Sequence, residues 1–128
     1  MQQIQPVELA SWLAPAAASA TAPTAAPAKQ RAGFGADTGA APLLLDVREH
    51  WEVALCALPG SVHVPMREIP ARLDELDPSR PIVCVCHHGV RSLQVAMFLE
   101  HRGFDAVFNL AGGLDAWARQ VDPSMPTY

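Results

Sequence analysis

The segment that most narrows the possible folds is Pro81-Ile82-Val83-Cys84-Val85, an apolar, β-branched run. It is followed at once by Cys86-His87-His88-Gly89-Val90-Arg91-Ser92 and then by helical spacing from Ser92 to His101. A buried strand running through a tight loop into a helix is one step of a parallel sheet, whose strands are joined by helical crossovers. Two more runs have the same character: Pro42 to Asp46 reads as a buried parallel strand and Ala106 to Asn109 as the last strand. Gln3 to Gln5 reads as a short edge strand, and Ser61 to Val64 as another, bounded by Pro59-Gly60 and Pro65.

Helical segments alternate with these strands. Pro6 suits a helix start, with Val7, Leu9, Ala10, Trp12 and Leu13 supplying an apolar face. Glu49 to Leu55 is a short helix, Met66 to Leu76 is helical in parts and broken by Pro70, and Leu114 to Val121 is a final helix with Trp117 turned inward. The alternation predicts one α/β domain with a mainly parallel central sheet and helices on both faces. The loop after Val85 then lies at the carboxyl ends of the strands, where ligands bind in open α/β sheets.

The expected organisation is a strand and helix over 1–13, an insertion over 14–41, a core over 42–121 and a tail over 122–128. The insertion is rich in Ala, Pro, Thr, Ser and Gly, with Pro15, Pro23 and Pro27 spaced through it, and reads as a flexible surface segment or tether. The chain has 128 residues, half of them hydrophobic, which suffices for a single core. With a net charge of −4 and scattered basic residues, nothing points to nucleic acid. No apolar run approaches membrane-spanning length.

Three cysteines without framework spacing indicate reduced thiols and a cytoplasmic setting. Ala18-Ser19-Ala20 has the small residues of a signal cleavage site. However, no lysine or arginine precedes it, and Pro6 and Glu8 interrupt the apolar stretch, so a secretory signal fits poorly.

Cys86 is the candidate nucleophile. At the mouth of a helix, unpaired N–H groups point outward and favour an anion, and the thiolate is the reactive form of cysteine. The helix dipole contributes only roughly 0.3–1 kcal/mol. Loop amides and a nearby cation are therefore also needed, with Arg91, His87 and His88 as candidates for the charge. Gly89 can take positive φ and let the chain curl around the sulfur. Ser92 can cap the helix or reach the sulfur with its hydroxyl.

Cys84 lies two residues back and shares the face of Cys86; its neighbours Val83 and Val85 mark it as core. The two positions span roughly 6.6 Å of extended chain, near the upper limit for a disulfide. The cluster Cys84, Cys86, His87 and His88 matches no usual structural zinc spacing, so no metal is expected.

Four segments together resemble the rhodanese family of sulfurtransferases in its small single-domain form. They are Leu43-Leu44-Leu45-Asp46-Val47-Arg48-Glu49, Leu58-Pro59-Gly60-Ser61-Val62-His63-Val64-Pro65, the loop from Cys86 to Ser92, and Asn109-Leu110-Ala111-Gly112-Gly113-Leu114-Asp115-Ala116-Trp117. The likeness runs from about Pro42 to Ala118, with a weaker echo at Ile4 to Leu9. One departure is Cys56-Ala57, where family members usually carry Gly-His; Cys56 reads as an apolar filler at a helix end.

The resemblance implies a rhodanese-like domain in which a Cys86 thiolate takes sulfur from a small anionic donor such as thiosulfate. The persulfide would be cradled by His87, His88, Gly89, Val90, Arg91 and Ser92, then discharged to a thiol, cyanide or a protein acceptor, with no cofactor. Asp46 and Arg48 are supporting residues. Asp46 is a candidate partner for Arg91, and Arg48 either forms a structural salt bridge or meets the donor at the rim.

Two alternatives stand beside this. Cysteine phosphatases resemble the loop but place five residues between cysteine and arginine, where this chain has four. A non-catalytic module binding a partner through the Ala/Pro segment and the pocket is the other.

Overall fold

The computed structural model describes residues 1–18 and 42–128. Its five strands are β1 (Gln2–Ile4), β2 (Leu43–Asp46), β3 (Val62–His63), β4 (Ile82–Val85) and β5 (Val107–Leu110). They form one sheet in the order β1-β5-β4-β2-β3, and every pairing is parallel. The register sets Leu45 beside Cys84 and Cys84 beside Asn109, so the strand that leads into Cys86 occupies the middle of the sheet.

Alternation along β4 divides the core in two. Ile82 and Cys84, with Cys86 beyond the strand, face Val95, Ala96 and Leu99 of helix α3 (Val90–His101). Val83 and Val85 face the other way, toward Leu9 of α1 (Pro6–Ala18) and Leu114 and Trp117 of α4 (Gly113–Gln120). Each face is apolar because the side-chain period of a strand is two and both sides are covered. Helices thus lie on both faces of a parallel sheet, as the alternation predicts. The remaining helix, α2 (His50–Leu55), starts just beyond the carboxyl end of β2, and two short 3₁₀ turns (Met66–Glu68 and Pro70–Glu75) lead back toward β4.

Several boundaries differ from the sequence reading. Helix α1 runs to Ala18, five residues into the stretch assigned to the insertion, because alanine sustains helix there. The rest of that stretch, 19–41, lies outside the described residues. Helix α3 starts at Val90 rather than Ser92, so the loop residues Val90 and Arg91 belong to its first turn. Trp12 packs edge-on against Phe108, with ring centroids 5.2 Å apart, as a core anchor should. Trp51 instead is 62% exposed and leans on Tyr128. No described helix is long and apolar enough to cross a membrane.

Candidate active site

The Cys86 sulfur sits in a ring of donors. It accepts from the Gly89 N–H at 3.0 Å, the Ser92 N–H at 3.4 Å and the Ser92 hydroxyl at 3.2 Å. Among the described residues, the amides that reach the sulfur are those of Gly89 and Ser92. Gly89 makes the inward turn with φ +94°, and a Cβ there would press on the Gly112 nitrogen at 3.0 Å. The loop is held from behind as well. The carbonyls of Cys86 and His87 accept from Leu114 and Asp115, at 2.9 and 3.0 Å. These donors belong to the first turn of α4, whose N–H groups have no partner inside the helix. Gly113 allows the approach, since a Cβ there would collide with both loop carbonyls. Two helix starts therefore grip one loop, α3 on the sulfur side and α4 on the carbonyl side.

The arginines point elsewhere than at the sulfur. Arg91 forms a two-pronged pair with Glu52 of α2, both contacts 2.7 Å. Asp46 is not its partner, because Arg48, two residues on, already claims that carboxylate through Nε, Nη2 and its own backbone N–H. Arg48 is wholly buried, so it does not line the rim. A buried guanidinium needs its donors matched. The Glu52 and Cys56 carbonyls and the Tyr128 hydroxyl, at 3.3, 2.5 and 2.9 Å, complete the set. His63 is structural, its Nε2 donating to the Arg48 carbonyl at 2.6 Å. The Arg91 guanidinium holds the Glu52 carboxyl down at about 2, against the opposing effect of burial.

At the mouth of the loop, His87 stacks on Tyr128 with ring centroids 4.0 Å apart. Burial pushes the His87 imidazole below its usual range, with neighbouring His88 adding to the fall. Burial raises the Tyr128 phenol to about 12, while Arg48 opposes the rise and Glu52 adds to it. The side chains of His88 and Val90 face outward and are exposed.

Behind the sulfur, the Ser92 hydroxyl is also within hydrogen-bond reach of Asn109 Oδ1, so its single proton serves one of the two acceptors at a time. Asn109 Nδ2 donates to Gln3 Oε1 at 2.8 Å and to the Gly89 carbonyl at 3.1 Å. Cys84 is completely buried in the apolar face, and burial pushes its thiol far up, so it stays protonated. Cys56 caps the end of α2 and lies 3.8 Å from Arg48 Nη1. Outside the sulfur ring, His87, His88 and Asp115 bring three potential metal-ligating atoms within 4.8 Å of one another, although Asp115 is paired with Arg119 at 2.8 Å.

Three residues here escaped the sequence reading. Glu52 had a readable signal, a glutamate in the first turn that accepts the Glu49 N–H at 2.9 Å. Asn109 had another: a polar residue among Val107, Phe108 and Leu110 in a buried strand must find partners. Tyr128 had none.

Comparison with known proteins agrees with this fold. The Rhodanese-like domain model matches residues 25–120. The chain is 40% identical over 80 residues to a putative sulfurtransferase, YtwF, of Bacillus subtilis, covering 62% of this chain and 77% of that one. It is 34% identical over 85 residues to the thiosulfate sulfurtransferase GlpE of Actinobacillus pleuropneumoniae, covering 66% and 79%. A chloroplastic rhodanese-like/PpiC domain-containing protein of Arabidopsis thaliana is 40% identical over 89 residues, covering 66% of this chain, which spans only 30% of that longer protein. Among solved structures, a rhodanese-like domain protein from Staphylococcus aureus superposes with a TM-score of 0.68 at 25% identity, covering 100% and 99% of the two chains. With its fold, its loop and these relatives in agreement, the chain belongs to the rhodanese-like domain family.

Proposed function

We propose that this protein is a thiosulfate-type sulfurtransferase in which Cys86 carries the sulfur. The observation that supports this most directly is the convergence of two amides and a hydroxyl on the sulfur of Cys86, a residue only 1% exposed. Donors so placed favour the thiolate and would equally stabilise the terminal sulfur of a persulfide.

In the first half-reaction the Cys86 thiolate attacks the outer sulfur of thiosulfate. The new S–S bond forms as the donor's own S–S bond breaks, and sulfite leaves with the electron pair. In the second, cyanide or a thiolate attacks the outer persulfide sulfur, and Cys86 departs as thiolate. Splitting the transfer this way predicts ping-pong kinetics and needs no metal or organic cofactor. The setting is cytoplasmic, and the acceptor is a small thiol, cyanide or a protein.

Phosphatase chemistry fits less well. The loop places four residues between Cys86 and Arg91, and the arginine is paired with Glu52. The test is intact mass after incubation with thiosulfate, then after cyanide. A gain of one sulfur, mapped to Cys86 and discharged as thiocyanate, supports the proposal. No gain on reduced, accessible Cys86, together with Cys86-dependent hydrolysis of an aryl phosphate, overturns it.

A further inference from the structure

The Ser92 hydroxyl has two acceptors and one proton. Asn109 fixes which of them it serves. The Gly89 carbonyl can only accept, so the face of the Asn109 amide turned toward it, 3.1 Å away, must be Nδ2, and the other Nδ2 proton goes to Gln3 Oε1. Oδ1 is thereby aimed at Ser92, and it accepts the hydroxyl proton. A serine that donates to Oδ1 presents a lone pair to the Cys86 sulfur, 3.2 Å away. That arrangement suits a thiol, whose S–H can donate to Oγ. A negatively charged sulfur needs the opposite polarity.

We propose that Asn109 is a positioning residue that gives the Ser92 proton a second acceptor, so that the hydroxyl accepts from the sulfur when it is a thiol and donates to it when it is charged. The hydroxyl rotates between Oδ1 and the sulfur, and the amide stays neutral throughout. The cysteine proton itself leaves to solvent, so no proton passes along the row. Asn109 is 1% exposed, and its position on β5 beside Cys84 of β4 keeps it at fixed distance behind the loop. In the reaction, which rests on the sulfurtransferase reading, the device would let the same serine serve each charge state of the sulfur.

The consequence has a sign. Without Oδ1 the hydroxyl has only the sulfur to serve, and the thiolate is favoured. The Gly89 peptide stays in place because its carbonyl also accepts from Leu93 at 3.3 Å. A merely structural role would loosen the ring and disfavour the thiolate.

The test is the pH profile of Cys86 alkylation by iodoacetamide, followed by peptide mass spectrometry, in Asn109→Leu and in Ser92→Ala with and without Asn109→Leu. Leucine is close to asparagine in shape and has no polar atoms. The midpoint is expected to fall by about one pH unit in Asn109→Leu, and to stay where it is when the same change is made beside Ser92→Ala. Charged and titratable groups around the sulfur are Arg91 on α3, His87 and His88 in the loop, Asp115 on α4, Glu52 on α2 and Cys84 on β4. They are common to both serine and alanine backgrounds and cancel in the comparison.

A midpoint unmoved or raised in Asn109→Leu, or moved equally in both backgrounds, overturns the proposal. Should Asn109→Leu not fold, the unmodified protein decides. Its Asn109 side-chain amide resonances should titrate with the Cys86 alkylation midpoint and lose most of that response in Ser92→Ala; resonances that ignore Cys86 in the unmodified protein overturn the proposal. Alkylation needs no sulfur donor, so this result stands apart from whether the protein transfers sulfur.

Discussion

Cys84 and Cys86 lie two residues apart on the same face of the sheet, and both are buried, at 0% and 1% exposure. Their chemistry differs because their neighbours do. Around Cys84 are buried apolar side chains such as Leu45 and Val95. Around the Cys86 sulfur are two N–H groups and a hydroxyl. Exposure therefore does not distinguish a working thiol from a filler. The difference arises where β4 ends: one more residue of chain moves from the sheet's paired backbone into the unpaired N–H groups of α3.

The largest expected effect is Cys86→Ser, which should lower thiocyanate formation from thiosulfate and cyanide by at least about 10³-fold, since the covalent carrier is gone. Persistent transfer in that variant would move the chemistry to another thiol and break the comparison. Next is Gly113→Ala. The added methyl collides with the Cys86 and His87 carbonyls, and a loop displaced by about 1 Å should lose on the order of 100-fold in kcat/KM. Steady-state kinetics on a variant with an unchanged melting profile would check this.

The polar setting of Cys86 should also make its side of the molecule sensitive to acid. Glu52 has a folded value of about 2 against an ordinary 4.5, so its contribution is full above about pH 4.5 and is lost as pH falls through about 2. That single group should account for about 3 kcal/mol of lost stability across the window. Urea melts of wild type and Glu52→Gln at descending pH measure the difference, which should shrink toward pH 2. The smallest effect on activity belongs to Cys84→Ser. Burying a hydroxyl there should cost about 1–3 kcal/mol in a urea melt, while transfer stays within about twofold of wild type by the same assay. A dead, folded Cys84→Ser would show that the apolar thiol takes part after all.

The alternation of β-branched runs and helical spacing made the parallel sheet readable, and strand, cysteine, glycine and helix in sequence made the loop readable. These are local patterns, although the loop they announce is also held from α4, more than twenty residues away. The ion pairs were less legible. Asp46 to Arg48 is a contact over two residues, yet Arg91 to Glu52 spans 39, and Arg48 to Tyr128 spans 80. No periodicity records which carboxylate an arginine meets after the sheet has assembled. Asn109 fell between these cases: its polarity in a buried strand announced that it needed partners but not which ones.

The groups that hold the sulfur are peptide N–H groups and one hydroxyl, while Arg91 is engaged with Glu52. Every amino acid but proline owns a peptide N–H. The seat is thus written largely in backbone shape, with Ser92 as its side-chain contribution, and the side chains of His88 and Val90 are exposed. On the proposed sulfurtransferase reading, such a loop would behave as a socket with an exchangeable collar: substitutions in the collar would change which donor or acceptor docks while the socket stays in place.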